Sequence, residues 1–395
     1  MTGSSDRILT SHVGSLVRPD ELLAFIEKQQ DGKAYDAAAY EDCLRHSVAE
    51  VVKKQVEAGV DIVSDGEYGK SISWSRYILD RIGGFEERHD QSPGFRSAVA
   101  GKDRRDFAEF YEEYEGAYGF VGMGKAFKTG SWAVTGPIKY TGQALIRRDI
   151  EDVKRAVAGS GAIDAFLPLV APASVVPQRV DEYYKSEEEA LFAIAEAMRE
   201  EYKAVVDAGL IAQIDDAFLA SVYDVMVPPK ALADYRKWAE VRIEALNHAL
   251  KGIPQDRTRY HICWGSWNGP HTNDVPLKDI ADLVLRVNTG GYSLEMANPR
   301  HEHEWRVWET VKLPKGKYLL PGLVSHATNI VEHPELVAER IVRLARLVGR
   351  DNVVASTDCG FAQGPFARRV HPQIMWAKLR ALGEGARIAT KQLWN

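Results

Sequence analysis

The sequence predicts an α/β fold, a (β/α)8 barrel of the TIM type, in which residues 1–395 form a single domain. Two observations support this prediction. Short, almost continuously apolar runs alternate with segments of helical periodicity, a pattern typical of a parallel sheet covered on both faces. Several of these runs end in polar residues, and in a barrel such strand ends meet at one rim. Barrels of this length often form one domain.

Seven apolar runs are predicted to be barrel strands. These runs are 8–15, 61–67, 211–215, 260–264, 292–297, 319–325 and 353–358. An eighth strand is needed to close the ring, and two segments, 132–138 and 166–176, have the composition for it. The sequence does not decide between these two segments. The helical segments between the runs include 187–208, 276–288 and 334–349.

Residues 83–130 interrupt this alternation of strands and helices. The segment is charged, aromatic and contains several glycines, and we predict that it is an insertion that runs over one face of the barrel. Long excursions from a compact domain are usually functional or disordered. We interpret the insertion as a lid or as a contact between copies in a homo-oligomer. The alternative is a surface hairpin with no role in chemistry.

Composition and charge exclude several classes of partner. The chain is 45% hydrophobic and 27% charged and has a net charge of -6, and no block of Lys or Arg forms a nucleic-acid-binding stripe. No apolar run has the length of a membrane span, and the first residues lack the apolar core of a signal peptide. The cysteines, Cys43, Cys263 and Cys359, do not form a disulfide framework, which predicts a reducing, cytoplasmic location.

His261 and Cys263 are the most informative pair in the sequence. Residues i and i+2 of a strand point to the same face, so this pair can bind one metal ion. Glu295 and Cys359 end two later runs and can complete a His, Cys, Glu, Cys set for Zn²⁺. A coordinating thiol is deprotonated and nucleophilic, so this set predicts alkyl transfer to a thiol. The alternative is a pair of buried thiols beside a core histidine.

Several motifs, in the same order, resemble the zinc-bearing catalytic barrel of the cobalamin-independent methionine synthase superfamily. They are Ser-His-Val-Gly-Ser at 11–15, Asp-Gly-Glu at 65–67, Thr-Gly-Pro at 135–137, Gln-Ile-Asp-Asp at 213–216, His-Ile-Cys at 261–263, Glu295, Val-Ser-His at 324–326 and Asp-Cys-Gly at 358–360. The resemblance covers nearly the whole chain. It implies that zinc is the cofactor and that the His, Cys, Glu, Cys set binds it.

The resemblance also implies roles for residues at other strand ends. Ser15 would hold the thiol substrate, and an acidic patch of Glu67, Asp215 and Asp216 would bind its amino group. His326 would donate a proton to the leaving group, a role that suits imidazole near neutral pH. The reaction that this set implies is methyl transfer to homocysteine, so a small-molecule thiol and an alkyl donor are the expected partners.

Two positions depart from the folate-binding pattern of the methionine synthases. Ser221 stands where those enzymes have an acidic folate contact, and Gly142 stands where they have a tryptophan that supports the pterin. Trp132 and Trp267 are candidates to replace that tryptophan. The departures leave the thiol-activating half of the resemblance intact and place folate use in question.

Residues 263–271 and 323–329 are more similar to the stand-alone branch of the superfamily, which includes epoxyalkane:coenzyme M transferase. Alkylation of a small thiol such as coenzyme M is therefore an alternative, and its sulfonate would need a cation such as Arg18 or Lys70. A non-catalytic, zinc-stabilised scaffold is an alternative of another class. The zinc set disfavours metal-free decarboxylation of the kind catalysed by the related uroporphyrinogen decarboxylases.

Overall fold

A parallel sheet of eight strands forms the centre of the computed structural model, which describes residues 6–88, 100–123 and 130–395. The strands of these residues are β1 (Leu9–Thr10), β2 (Ile62–Ser64), β3 (Ile82–Arg88), β4 (Ser131–Tyr140), β5 (Asp164–Val170), β6 (Arg179–Asp181), β7 (Ile211–Asp216), β8 (Thr258–Ile262), β9 (Gly291–Leu294), β10 (Tyr318–Val324) and β11 (Val354–Thr357). The order in the large sheet is β1-β11-β10-β9-β8-β7-β5-β2. Asp61 N donates to Thr10 O at 3.1 Å and joins the two outer strands. The predicted barrel is confirmed.

Helices cover the outside of this sheet. They are α1 (Asp20–Gln30), α2 (Ala37–Glu57), α3 (Lys102–Asp106), α4 (Ala108–Tyr118), α5 (Gln143–Val157), α6 (Glu187–Asp207), α7 (Ala217–Met226), α8 (Leu232–Ala249), α9 (Ala281–Val284), α10 (Val307–Thr310), α11 (Pro334–Val348) and α12 (Pro372–Trp394). Local signals explain where they begin. Ser186 caps α6 by accepting from Glu189 N, and α11 begins with Pro334, whose missing N–H costs nothing at that position. No helix of the described ranges combines the length and apolarity of a membrane span.

The structure decides which segment is the eighth barrel strand. β5 pairs in parallel with both β2 and β7 and so completes the large sheet. The other candidate, 132–138, lies in β4, which belongs to a separate sheet of order β3-β4-β6. β4 is antiparallel to β3 and parallel to β6. This small sheet brackets the described part of the insertion.

One predicted helix is shorter than its sequence pattern. Residues 276–288 form a single 3-10 turn followed by α9, which has only four residues. The chain leaves the helical path because Asn288 N donates to Asn247 Oδ1 at 2.8 Å and Thr289 N donates to Val287 O. These bonds turn the chain directly into β9.

The interior of the barrel has two chemically different layers. Seven side chains from six of the barrel strands form a separate apolar cluster near the strand starts: Leu9, Ile62, Phe166, Ile211, Tyr318, Leu320 and Val354. Above them the Arg259 guanidinium stacks 3.6 Å from the Phe166 ring centroid. It donates to Gln213 Oε1 at 2.7 Å, Ser11 Oγ at 2.9 Å and His12 O at 3.0 Å. Arg259 therefore separates an apolar plug from the rim where the polar strand ends meet.

Candidate metal centre and substrate cavity

Three side chains from the ends of β8 and β11 converge at the rim. His261 lies in β8, Cys263 directly follows it, and Cys359 lies two residues after β11. Their ligand atoms all lie within 4.8 Å of one another. The two Sγ atoms are 3.5 Å apart. His261 and Cys263 thus point to the same side at the end of β8, and metal binding by them stays a prediction.

The donor atoms of this cluster suit a zinc ion. His261 Nδ1 is 3.1 Å from Ser293 Oγ, whereas its buried Nε2 has no hydrogen-bond partner. Burial, reinforced by Arg259, lowers the pKa of His261 to about 3, so the ring is neutral at pH 7, as a metal ligand must be. With its proton on Nδ1, the ring presents the Nε2 lone pair to the thiols. One imidazole and two thiols form a donor set that zinc prefers.

Glu295, the fourth predicted ligand, lies beside this cluster but not within it. It follows β9, and its Oε1 accepts from Trp264 N at 3.0 Å while its Oε2 accepts from Asn298 Nδ2 at 2.8 Å. Burial raises the pKa of Glu295 to about 7. The carboxylate is thus held by protein donors next to the Cys263 strand end.

The cluster opens into a cavity with about 840 Å³ of empty space. Six of the predicted site residues line it, namely Ser15, Glu67, Asp215, His261, Cys263 and Cys359. Gly360 also lines the cavity and packs closely on Ser15, since a Cβ at position 360 would lie 1.9 Å from Ser15 Oγ. The strand ends therefore bring most of the predicted residues together around one space.

Glu67 offers a free carboxylate oxygen to the cavity. Its Oε1 accepts from Lys70 Nζ at 2.9 Å, whereas its buried Oε2 has no partner. The residue has a φ of 63°, a left-handed conformation that is uncommon outside glycine. Glu67 N donates to Asp65 Oδ1 at 2.9 Å, which stabilises this turn. Strain of this kind is typical of functional sites.

Asp215 and Asp216 lie side by side on β7 but face different surroundings. Asp215 lines the cavity, accepts from Gln213 Nε2 at 2.8 Å, and has a pKa raised well above its usual value by burial and by the nearby Glu67. Asp216 instead caps α7 and accepts from Ser174 Oγ at 2.7 Å and Tyr260 Oη at 3.0 Å. Successive strand residues point to opposite faces, so only the first of the two faces the cavity.

His326 is buried two residues after β10, outside the set of residues that line the cavity. The ring contacts the backbone of Ser266, and no side chain of the described residues forms a hydrogen bond with either ring nitrogen. Burial lowers the pKa of His326 to about 3, so the free protein carries a neutral imidazole there at pH 7.

The predicted anion-binding cations are used within the fold. Arg18 donates to the backbone oxygens of Glu67 and Lys70. Lys70 is paired with Glu67 and lies 4.3 Å from the Tyr77 ring centroid. The cavity instead contains Arg76 and Arg369, which the sequence analysis did not identify. Arg369 lies nine residues beyond the Asp-Cys-Gly motif, so that motif gave no signal for it.

An aromatic wall forms the other side of the cavity. Trp74, Phe218 and Trp267 line it, and the first two rings are stacked with centroids 6.4 Å apart. Ser221 lies in the same wall, whereas Gly142 lies outside the lining, at the start of α5. Of the two tryptophans that could replace a pterin-supporting ring, only Trp267 lies at the cavity.

The insertion contacts the loop that carries Trp267. Tyr111 Oη accepts from Trp267 Nε1 at 3.1 Å and donates to Asp103 Oδ2 at 2.9 Å. Asp103 Oδ1 accepts from Thr272 N at 2.9 Å and from its Oγ1 at 2.7 Å. Met123, near the end of this segment, lines the cavity. The described part of the insertion therefore lies against the rim, and its role as a lid stays a prediction.

A chain of charged groups supports the rim behind Trp264. His301 Nε2 is 3.1 Å from Asp274 Oδ2, and its Nδ1 is 2.9 Å from Glu304 Oε2. The Trp264 and His301 ring centroids are 4.5 Å apart. Burial alone would lower the pKa of His301, but the hydrogen bonds to these two carboxylates outweigh it and raise the pKa from about 6.5 to about 10. His301 is therefore an imidazolium at neutral pH.

His301→Gln is expected to lower the free energy of unfolding in a pH-dependent way. A pKa that is raised on folding stabilises the fold fully below about pH 6.5, and this stabilisation is lost as the pH rises through about 10. We expect a loss of about 3 kcal/mol at pH 6, typical of breaking a buried pair, and a smaller loss near pH 10. Urea unfolding at both pH values measures it. The exposed His46, changed to Gln, is the control, and an equal loss at both pH values would contradict the prediction.

Comparisons with known proteins agree with this geometry. A sequence model described as "Cobalamin-independent synthase, Catalytic domain" matches residues 117–374. The protein YxjH of Bacillus subtilis is 25% identical over 377 residues, which cover 93% of this chain and 91% of YxjH. A methionine synthase of Thermococcus kodakarensis is 21% identical over 398 residues, with 97% of this chain and 94% of the relative covered.

A relative that is named for a different reaction matches this chain to a similar degree. The 2-hydroxypropyl-CoM lyase of Xanthobacter autotrophicus is 24% identical over 390 residues, with 90% of this chain and 88% of the relative covered. Among solved structures, a B12-independent methionine synthase from Shewanella sp. W3-18-1 in complex with selenomethionine has the same fold. Its TM-score is 0.71 at 20% identity, with 98% of this chain and 99% of that chain covered. Because the family model matches more than half of the chain, this protein belongs to the cobalamin-independent synthase catalytic-domain family.

Proposed function

We propose that this protein is a zinc-dependent transferase that moves an alkyl group, by default a methyl group, onto a small thiol such as homocysteine. The observation that carries the proposal is the convergence of His261, Cys263 and Cys359 within 4.8 Å at the wall of the cavity. Family membership supports it, because the relatives include proteins named methionine synthase and 2-hydroxypropyl-CoM lyase.

In this proposal His261, Cys263 and Cys359 hold the ion, and Glu295 is the adjacent oxygen ligand. Bound zinc lowers the pKa of a coordinated thiol, so that the sulfur is anionic and nucleophilic at neutral pH. The protein supplies a neutral His261 imidazole, oriented by Ser293, and buries the thiols against competing water. The substrate sulfur then forms a bond to the electrophilic carbon, and the leaving group departs with the electron pair.

The carboxylates of the cavity favour a thiol that carries an amino group. Glu67 presents an unpaired oxygen, and Asp215 is close enough for Glu67 to raise its pKa. An ammonium group placed between them would stabilise both anions and return the Asp215 pKa toward its usual range. Ser15, on the same wall, is in place to orient this substrate. These contacts favour homocysteine, whereas coenzyme M would need one of the cavity arginines, Arg76 or Arg369, because Arg18 and Lys70 do not line the cavity.

We assign the alkyl donor to the aromatic side of the cavity, against Trp74, Phe218 and Trp267. Flat rings of this kind bind planar or apolar groups. Ser221 offers a hydroxyl where the methionine synthases have an acidic folate contact, which makes methyltetrahydrofolate a poor match. His326 is the proposed proton donor; because its ring is neutral in the free protein, it would first take up a proton, such as the one that the thiol releases, and then pass it to the leaving group.

X-ray absorption at the zinc edge tests this proposal. The purified protein would be measured alone and with homocysteine, coenzyme M or glutathione. We expect one added sulfur neighbour with homocysteine and a simultaneous loss of one oxygen neighbour. The same change with coenzyme M alone would instead support the coenzyme M alternative. A first shell that no thiol alters would support a structural zinc scaffold and overturn the proposed transferase.

A further inference from the structure

The Glu295 carboxyl group has a defined resting place at the edge of the His261, Cys263 and Cys359 cluster, in contact with Cys263. Both oxygens are used there: Trp264 N donates to Oε1 at 3.0 Å, and Asn298 Nδ2 donates to Oε2 at 2.8 Å. Glu295 is 3% exposed, so these bonds replace water for a buried carboxylate. Hydrogen bonds to a charged acceptor in a buried site are the strong kind.

Asn298 is itself fixed from both ends. Its Nδ2 also lies 3.2 Å from Asp358 Oδ2, and Asp358 directly precedes Cys359. Its Oδ1 accepts from Arg300 N at 3.0 Å and from His301 N at 3.1 Å. One amide therefore has its acceptor side on the local turn and its donor side on two carboxylates. Because the turn donates two N–H groups to Oδ1, the amide cannot flip without losing both bonds, and its Nδ2 group therefore points to Glu295.

We propose that Asn298 and the Trp264 N–H form a seat at the edge of the metal cluster, which holds Glu295 when this carboxylate yields its place to the substrate sulfur. The inference rests on the proposed function and deepens it. Without the seat, a displaced Glu295 would be a buried anion with no donors, which is costly. With the seat, its displacement costs little. Asn298 is thus a positioning residue that decides whether the fourth position accepts a thiol.

Asn298→Asp tests the seat with little change in shape. The new side chain keeps an oxygen for Arg300 N and His301 N, but it replaces the amide donor with an anion that repels Glu295 and Asp358. Asn298→Ser is the second variant, because a serine hydroxyl can still accept in the turn and is too short to reach Glu295. Asn273→Asp is the matched control, since Asn273 Nδ2 likewise donates to a carboxylate, that of Asp224, away from the cluster.

The measurements are the zinc dissociation constant by chelator competition, the homocysteine dissociation constant, and the zinc X-ray absorption spectrum with homocysteine. In both Asn298 variants we expect an oxygen neighbour that persists with homocysteine and a homocysteine dissociation constant raised about 10- to 100-fold, the range usual for residues that support metal ligands. Zinc binding without thiol is expected to be as tight as in the wild type, and the Asn273 control should behave like the wild type throughout.

Two results would contradict the proposed role of Asn298 and the Trp264 N–H as a seat for Glu295. One is exchange of oxygen for sulfur in both Asn298 variants at the homocysteine concentration that suffices for the wild type. The other is weaker zinc binding without thiol together with unchanged homocysteine binding to the loaded protein, which is the result of a purely structural role. A wild-type protein that never gains a sulfur neighbour is a different outcome, because it removes the proposed function itself.

Discussion

Cys359→Ser is expected to remove most of the bound zinc and to lower turnover by about a thousandfold. Cys359 Sγ is one of three ligand atoms within 4.8 Å of one another, and a serine hydroxyl is not deprotonated as readily as a thiol. A bound metal contributes several kcal/mol to catalysis, and about 4 kcal/mol corresponds to three orders of magnitude in rate. Zinc content by elemental analysis and methyl transfer to homocysteine would be measured on the same preparation.

Cys43→Ser is the control for this change. Cys43 is partly buried on α2 and takes no part in the metal cluster, so its replacement should leave zinc content and turnover unchanged. If Cys359→Ser loses zinc and only its melting temperature falls while turnover persists, the zinc is a structural element. If it keeps both zinc and turnover, the assigned metal site is wrong.

Glu67→Gln is expected to raise the KM for homocysteine about 30-fold and to change kcat little. Glutamine keeps an oxygen for Lys70 but loses the charge that would bind the substrate ammonium, and hydrogen bonds to charged groups contribute about 2 kcal/mol. Steady-state kinetics with homocysteine would be compared with those for 4-mercaptobutyrate, which is homocysteine without its amino group. The variant should treat this second thiol as the wild type does.

Asp216→Asn is expected to affect stability and not substrate binding, in contrast to Glu67→Gln. Asp216 caps α7 and faces away from the cavity, so this change should lower the melting temperature and leave the KM for homocysteine unchanged. A raised KM in Asp216→Asn together with an unchanged KM in Glu67→Gln would contradict the assignment of the two carboxylates.

The positions of the site residues could be predicted from the sequence because they depend mainly on where strands end. His261 and Cys263 share a face by the two-residue period of a strand, and Cys359 reaches them because parallel strands all end at one rim. The prediction that placed both Asp215 and Asp216 at the substrate overlooked the alternation of side chains along a strand. Adjacent strand residues point to opposite faces, so only one of the two can face the cavity. Their roles in binding stay predictions.

Other features depend on tertiary contacts that a sequence pattern does not contain. Residues 132–138 and β5 both have the composition of a strand, and only pairing with β2 and β7 decides which one enters the barrel. Arg369 reaches the cavity from a loop, where no periodicity predicts the direction of a side chain. The Glu295 carboxylate is likewise placed by Asn298, a bond between two side chains that no spacing rule predicts.

The two layers inside the barrel have a consequence for how the family can diverge. The apolar plug near the strand starts lies below Arg259, whereas the cavity is built from residues at and beyond the strand ends. Conservative exchanges within the plug need only preserve volume, and changes at the rim leave the plug intact. Substitutions at the rim can therefore change the preferred substrate without destabilising the barrel. A protein only 20% identical to this chain keeps its fold, and relatives at 21% and 24% identity are named for different reactions.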